Sequence, residues 1–294
     1  MPKKIDMEQN KVLHISMNAL KRSLLFRTDS DYKFGVNSLA IVLSQHKVRL
    51  LCYCLMSNHL HLLLLGTEAS CIGYYDSLMM RLGRLYAESY NRSWNLQTNA
   101  REIVEVKNLY QFRNVVAYIL RNPYKAGISS PYGYRWSSID AYFHISGTEI
   151  DGTPVNSLKT DDRRKILRTR CRLPDEYMIS DGCITNKSFV SAVPVMEKFS
   201  GEIDFYNALK RTSVEAEIEM DAGISTSITY SDQEMRLRIQ TILEDRFHKK
   251  DLARLSSDQL ISMASILKRK YYIGKAQIGR LLGLSDTILE RLFR

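Results

Sequence analysis

The stretch RLLCYCLMSNHLHLLLL, residues 49–65, decides the fold class. It contains two apolar runs, over residues 49–56 and 59–65, which are joined by the dipeptide Ser57-Asn58. Because asparagine tolerates positive φ, this pattern predicts two antiparallel strands connected by a tight hairpin turn. Both runs are too continuously apolar for a sheet with one face in water, so we expect helices to cover it.

The flanking sequence predicts one further strand and three helices. Residues 11–20 have the pattern of a strand, and residues 30–45 that of a helix with Asp29 or Ser30 as its N-cap. Helical periodicity also predicts a basic helix over residues 78–91 and another helix over residues 108–121. This order predicts an α+β sandwich built on a central antiparallel sheet.

Two histidines begin the second strand of the hairpin. His59 and His61 are two positions apart, and side chains alternate along a strand, so both imidazoles are expected on one face. Such a pair could bind a metal ion, with an ordinary hydrogen-bonded histidine pair as the alternative interpretation.

The helix over residues 108–121 carries a tyrosine on its polar side. Its apolar stripe contains Phe112, Val115, Val116 and Ile119. The opposite stripe, which we expect to lie away from the core, contains Gln111, Asn114, Tyr118, Arg121 and Asn122. Asn122 follows Tyr118 by one turn, and Pro123 is expected to end the helix. Tyr118 is a candidate nucleophile, with an ordinary surface tyrosine as the alternative.

Net charge and the spacing of the cysteines limit which classes of protein this sequence can belong to. The 294 residues carry a formal net charge of +10, which suggests a polyanionic partner such as nucleic acid, although a basic surface can also serve solubility alone. The five cysteines follow neither a disulfide framework nor a zinc-binding spacing. With a polar amino terminus and no apolar run of membrane-spanning length, we expect a cytoplasmic protein.

Composition divides the chain into three expected domains. Residues 146–158 are rich in Gly, Pro and Asn, and residues 221–231 are rich in Gly, Ser and Thr, so both are expected linkers. We therefore predict a first domain over residues 1–145, which contains the histidine pair and Tyr118, a mostly helical connector over 146–229, and an all-α region over 230–294. The two ends are basic and the middle is mildly acidic.

Three sequence blocks occur in order within residues 10–145: CLMSNHLHLLL at 54–64, AYILRNPYKAG at 117–127, and YRWSS at 134–138 followed by Tyr142. The first resembles the Leu-Met-Pro-Asn-His-Val-His motif of the REP-associated tyrosine transposases, within the HUH single-tyrosine superfamily. The second is similar to that family's Tyr-Ile-x-x-Asn-Pro-Val-Lys-Ala-Gly block, and the third to its Trp-Ser-Ser segment.

This resemblance implies a ferredoxin-like HUH sandwich and a specific chemistry. His59, His61 and Asn122 would hold Mg²⁺ or Mn²⁺, and Tyr118 would cleave single-stranded DNA at palindromic, hairpin-forming repeats. The product would be a 5′-phosphotyrosine that allows strand transfer. Members of the family assemble as dimers, whereas this sequence leaves monomer and homodimer open.

Basic and aromatic residues near these blocks are candidates for binding the DNA. Arg81, Arg84 and Arg92 lie on or near one predicted helix with tyrosines interleaved, a pattern that suits a DNA backbone and stacked bases. A solvated helix face is the alternative. Further candidates in the first domain are Arg121, Lys125, Arg135 and Trp136.

The carboxyl end has the spacing of a helix-turn-helix. A short helix over residues 275–282, a turn at 283–285 and a helix over 286–293 have regularly spaced apolar residues, with Ser285 as N-cap of the second helix. We expect Lys275, Thr287 and Arg291 to contact DNA. A plain three-helix packing module is the alternative.

Two other functions remain open at this level. A non-catalytic DNA-binding regulator would use the same basic surface and the helix-turn-helix without the His and Tyr chemistry. A metal-dependent phosphohydrolase of small substrates would use the metal without Tyr118.

Overall fold

A four-stranded antiparallel sheet organises the first part of the chain. The computed structural model describes residues 10–17, 24–90, 101–143, 152–210, 232–271, 275–285 and 288–290. Within them the sheet has the order β2-β3-β1-β4. Its strands are β1 (Lys11–Met17), β2 (Arg49–Met56), β3 (His59–Gly66) and β4 (Arg101–Glu105). The predicted hairpin is confirmed, because β2 and β3 pair antiparallel around Ser57 and Asn58.

Three helices pack on this sheet, as its apolar strands require. They are α1 (Asp29–Leu43), α2 (Glu68–Tyr90) and α3 (Leu109–Lys125). A Cβ atom added at Gly35 of α1 would lie 2.9 Å from Leu55 Cδ1, so α1 lies directly against the face that carries Leu55. Leu55 pairs with Leu60, whereas His61 pairs with Cys54, and alternation places these two pairs on opposite faces. The imidazoles therefore face α3, across the sheet from α1. Helices and an antiparallel sheet together confirm the α+β class.

Two predicted helix starts were wrong. Helix α1 begins at Asp29, and its N-cap is Thr28, not Asp29 or Ser30. Thr28 accepts from the Asp31 backbone N–H while the Asp31 carboxylate accepts from that of Thr28, a capping box that satisfies two free N–H groups. Helix α2 begins at Glu68, ten residues before the predicted start, since its first turns bury Cys71 and Tyr74.

Pro123 does not end α3, contrary to the prediction. The helix begins after its N-cap Asn108, which was predicted as the first helical residue, and continues through Pro123 to Lys125. Proline has no N–H to donate to the carbonyl of Ile119, four residues earlier. Asn122 Nδ2 lies 3.4 Å from that oxygen and 3.0 Å from the Tyr118 carbonyl oxygen, which compensates for the missing donor.

The described residues 152–210 contain more than the predicted helical connector. They form a second antiparallel sheet of β5 (Thr153–Pro154), β6 (Met178–Ser180) and β7 (Cys183–Ile184). Four short helices accompany it: α4 (Thr160–Leu167), α5 (Asn186–Phe189), α6 (Val193–Met196) and α7 (Glu202–Lys210). Their apolar residues share one hydrophobic core with the four-stranded sheet. Of the predicted linker over residues 146–158, residues 146–151 lie outside the described part of the chain, whereas Thr153 and Pro154 belong to β5.

The carboxyl-terminal part has a hydrophobic core of its own. It consists of α8 (Asp232–Phe247), α9 (Ser257–Tyr271) and α10 (Lys275–Leu282), whose buried residues include Met235, Ile239, Met263 and Ile278. A turn at Gly283, with φ +67°, follows α10. Only residues 288–290 of the expected second helix of the helix-turn-helix are described, so that motif stays a prediction. None of the described helices is long and apolar enough to span a bilayer.

Candidate active site

The two predicted histidines and the predicted tyrosine lie together between β3 and α3. The ring centroids of His59 and His61 are 5.1 Å apart, and those of His61 and Tyr118 are 5.4 Å apart. The imidazoles share one face because β3 alternates, and α3 crosses that face.

A third histidine, which the sequence analysis did not identify, completes the cluster. His14 Nε2 on β1 lies 3.2 Å from His61 Nδ1, and the two rings are stacked with centroids 5.3 Å apart. The register pairs Ser16 with His61, which places His14 diagonally beside His61 on the same face. Among the described residues, His14 Nδ1 is buried and has no hydrogen-bond partner.

Neighbouring groups define which ring nitrogens are available. Asn58 Oδ1 can only accept, and it lies 2.8 Å from His59 Nδ1, so Nδ1 of His59 carries the proton. This leaves the His59 Nε2 lone pair for a ligand. By the same reasoning, His61 presents an Nε2 lone pair when its Nδ1–H donates to His14 Nε2.

Burial keeps all three imidazoles neutral. It lowers the pKa of His59 and of His14 to about 4 each. The pKa of His61 lies well below its usual range because of burial and because of the nearby His59 and His14 rings. Neutral imidazole is the form that binds metal ions.

Asn122 bridges the helix and the histidines. Its Nδ2 donates to the Tyr118 and Ile119 carbonyls of its own helix, and its side chain also lies against His59 and His61, where it partly offsets the lowering of their pKa by burial. Because Nδ2 is taken up by these helix carbonyls, the carbonyl oxygen is the end of the Asn122 amide that faces the imidazoles. Asn122 is only 3% exposed, as this double role requires.

Tyr118 is buried, whereas the sequence predicted that its helix face lies away from the core. Only 7% of Tyr118 is exposed, and Arg121 is buried beside it. The reason is that α3 is covered on two sides. Its Tyr118 side meets the sheet, and Arg113, on another side, forms an ion pair of 2.6 Å with Asp204 of α7.

A positive charge lies next to the tyrosine. Lys125 is the last residue of α3, and its Nζ is 4.9 Å from the centroid of the Tyr118 ring. An ammonium group at that distance stabilises negative charge that develops on the phenol oxygen. Lys125, which the sequence analysis predicted as a DNA contact, therefore also lies beside Tyr118.

Arg81 and Arg84, predicted to bind DNA, have different environments. The Arg81 guanidinium donates to Ser38 Oγ at 3.1 Å and to the Leu167 carbonyl at 2.6 Å, and burial lowers its pKa. Arg84 is exposed. Both line a cavity of about 410 Å³ between α1 and α2, away from the imidazole face. Their DNA contacts stay a prediction.

The remaining predicted contacts are scattered. Arg135 pairs with Asp181 and lies 4.8 Å over the Trp136 ring, which stacks on Tyr32. Lys275 lies 3.6 Å from Glu290. Arg92, Thr287 and Arg291 lie outside the described residues.

In the described part of the chain, no three His, Cys, Asp or Glu side chains are grouped closely enough to hold a metal ion. A metal at this site would therefore need ligands of another type beside the histidines. The Asn122 oxygen, which faces His59 and His61, is such a ligand.

Comparison with known proteins shows one distant structural likeness. No protein-family model and no curated protein sequence matches the chain. A solved structure described as the REP-associated tyrosine transposase bound to a REP hairpin is similar over 44% of this chain and 76% of that chain. The sequence identity is 15% and the TM-score is 0.37. At this TM-score and identity the likeness does not identify the function of this chain.

Proposed function

We propose that this protein is a metal-dependent enzyme that nicks single-stranded DNA and transfers the strand through a phosphotyrosine at Tyr118. One observation carries the proposal: Tyr118 and Asn122, one turn apart on α3, converge on His59 and His61 of β3. A phenol, two neutral imidazoles and an amide oxygen are the groups that this reaction needs. Two of the three sequence blocks that resemble REP-associated tyrosine transposases, residues 54–64 and 117–127, contain these four residues.

The donor set fits a divalent cation. His59 and His61 each have an Nε2 lone pair available, and the Asn122 oxygen completes a set of two nitrogens and one oxygen. Such a set suits Mn²⁺ at least as well as Mg²⁺. When bound, the ion would neutralise charge on a non-bridging phosphate oxygen.

The chain's own residues account for the covalent step. The Tyr118 oxygen forms a bond to the scissile phosphorus while the bond from phosphorus to the 3′ oxygen breaks. The phenol gives up its proton, and the departing 3′ oxygen takes one up, which leaves a 5′-phosphotyrosine and a free 3′-hydroxyl. Lys125 stabilises the charge on the phenol oxygen. Reversal with a different 3′-hydroxyl joins a new strand.

The same geometry supports single-stranded DNA as the proposed substrate. Tyr118 is buried at one side of the sheet, so only an exposed phosphodiester of a flexible strand can be brought to it. Single-stranded DNA next to a hairpin offers such a phosphodiester. The net charge of +10 favours a polyanion, and the helix-turn-helix expected at the carboxyl end would bind the duplex part.

Trapping of the covalent intermediate tests the proposal. With Mn²⁺ and a labelled hairpin oligonucleotide that has single-stranded flanks, wild-type protein should form a DNA adduct, and Tyr118→Phe should form none. Tyr124→Phe is the matched control, because Tyr124 lies on the same helix and is 53% exposed. Mass spectrometry should locate the adduct on Tyr118.

Two different outcomes would each favour an alternative function. DNA binding without an adduct under either metal would support a non-catalytic regulator. Metal-dependent phosphate hydrolysis that survives Tyr118→Phe would support a phosphohydrolase.

A further inference from the structure

An arginine of the carboxyl-terminal helices reaches the end of α3. Arg238 of α8 donates from Nε to the Ala126 carbonyl at 2.7 Å and from Nη2 to the Lys125 carbonyl at 2.8 Å. The last carbonyls of a helix have no partner within the helix. Arg238 therefore satisfies two acceptors at the end of the helix that carries Tyr118.

The position of the Arg238 guanidinium requires a glycine at residue 127. Gly127 has φ +64°, a conformation that favours glycine. A Cβ atom at Gly127 would overlap the Arg238 guanidinium, so the absence of a side chain is needed for space as well. Gly127 thus allows both the exit of the chain from α3 and the approach of Arg238.

The contact is electrostatically favourable. Charge-assisted hydrogen bonds are stronger than neutral ones, and a cation at a helix C-terminus is stabilised by the helix dipole. The same turn is also closed by its own backbone, since Ala126 N donates to the Asn122 carbonyl at 2.9 Å. The orientation of this turn is therefore fixed both by the helix's own backbone hydrogen bond and by the hydrogen bonds from Arg238.

We propose that Arg238 is a positioning residue, through which the carboxyl-terminal helices hold the last turn of α3 and, with it, Lys125 against Tyr118. This inference rests on the proposed function of Tyr118. Arg238 fixes the Lys125 backbone, and the Lys125 ammonium lies over the Tyr118 ring. On α8, Arg238 lies between Met235 and Ile239, both part of the separate carboxyl-terminal core, so it couples that core to the tyrosine.

Hydrogen exchange tests the holding contact without any reaction. In Arg238→Gln, exchange of the Ala126, Gly127 and Ile128 amides should become faster, while protection of the α8 core is retained. The matched control is Arg236→Gln, on the exposed side of the same helix. Unchanged protection at the end of α3 would overturn the inference. Equal deprotection by Arg236→Gln would do the same.

A double-mutant cycle tests the route through Lys125. With saturating hairpin DNA and Mn²⁺, Arg238→Gln should slow single-turnover adduct formation on the order of tenfold, with DNA affinity nearly unchanged. In a Lys125→Gln background, the same substitution should change the rate by less than about twofold. Additive effects would overturn this route.

Two measurements keep the test interpretable. Arg238→Lys keeps the charge and one hydrogen bond, so it should recover part of the rate if positioning matters. Thermal unfolding of each variant identifies loss of the fold itself. If wild-type protein forms no adduct, the proposed function fails, whereas the hydrogen-exchange result still decides whether Arg238 holds α3.

Discussion

His14 Nε2 lies 3.2 Å from His61 Nδ1 across two paired strands, so the ring that is proposed to bind metal has a buried histidine as its hydrogen-bond partner. A partner on the far nitrogen fixes the tautomer and orientation of a metal-binding imidazole. His14 then orients the His61 ring without binding the ion itself.

The first prediction follows from this pair. His14→Leu should weaken Mn²⁺ binding by about 10–100-fold, because His61 loses the acceptor that keeps its Nε2 lone pair available. His14→Gln, whose side-chain oxygen can replace Nε2 as acceptor, should lose less. Calorimetric titration with Mn²⁺ in the absence of DNA measures both effects.

A control for this prediction is His46→Leu. His46 hydrogen-bonds Ser77 on the α1 and α2 side of the sheet, opposite the face that carries His14, His59 and His61. The same Mn²⁺ affinity in His14→Leu and His46→Leu would show that His14 does not support the metal site.

The second prediction separates the two roles of Asn122. Asn122→Asp keeps oxygen ligands but removes the Nδ2 donor to the Tyr118 and Ile119 carbonyls, so it should retain Mn²⁺ binding and lose about 1–3 kcal/mol of stability. Asn122→Ala should lose both. Titration with Mn²⁺ and urea unfolding report the two properties separately.

Asn114→Ala is the matched control for Asn122, as the residue lies on the same helix and is partly exposed. The assignment of Asn122 as a ligand is wrong if Asn122→Ala binds Mn²⁺ as tightly as Asn114→Ala does.

The sequence predicted those parts of the site that depend on local periodicity. The alternation of β3 places His59 and His61 on one face, and the helical period places Asn122 one turn from Tyr118, before any tertiary structure is known. The β2–β3 hairpin followed from residue types alone.

Features that depend on the order of strands and layers could not be predicted in this way. His14 joins the cluster only because β1 pairs with β3 in a register that sets Ser16 opposite His61. Tyr118 is buried because its side of α3 meets the face of the sheet that carries the histidines, and a helical period identifies faces without saying how many are covered. Likewise, the hydrogen bond from Arg238 to the Lys125 carbonyl joins residues 113 positions apart, which no local pattern indicates.

The third prediction concerns the stability of the metal-free protein at acidic pH. Burial lowers the pKa of His14 and of His59 from 6.5 to about 4, so the unfolded chain binds more protons than the folded one between these values. Stability is therefore fully present above about pH 6.5 and falls as the pH drops towards 4, by about 1.4 kcal/mol per pH unit for each such histidine.

Urea unfolding at several pH values, with a chelator present, measures this dependence. His14→Gln removes one titrating group and should make the fall in stability between pH 6 and pH 5 shallower. A slope that does not change in His14→Gln would mean that His14 is not held neutral in the folded state.

The fourth prediction compares two neighbouring arginines of α2. Arg81 donates to Ser38 and to the Leu167 carbonyl, whereas Arg84 is exposed. Arg81→Met should therefore cost about 1–3 kcal/mol of unfolding free energy because the Leu167 carbonyl loses its partner, and Arg84→Met should change it by no more than about 0.5 kcal/mol.

Their effects on DNA should be the reverse. An exposed arginine can neutralise a phosphate, so Arg84→Met should reduce the slope of log affinity against log salt concentration by about one, as measured with a hairpin oligonucleotide. Arg81 already donates within the protein, and folded Arg81→Met should keep the wild-type slope. A lowered slope in Arg81→Met with unchanged stability would show that Arg81 leaves its contacts with Ser38 and Leu167 to bind the DNA backbone.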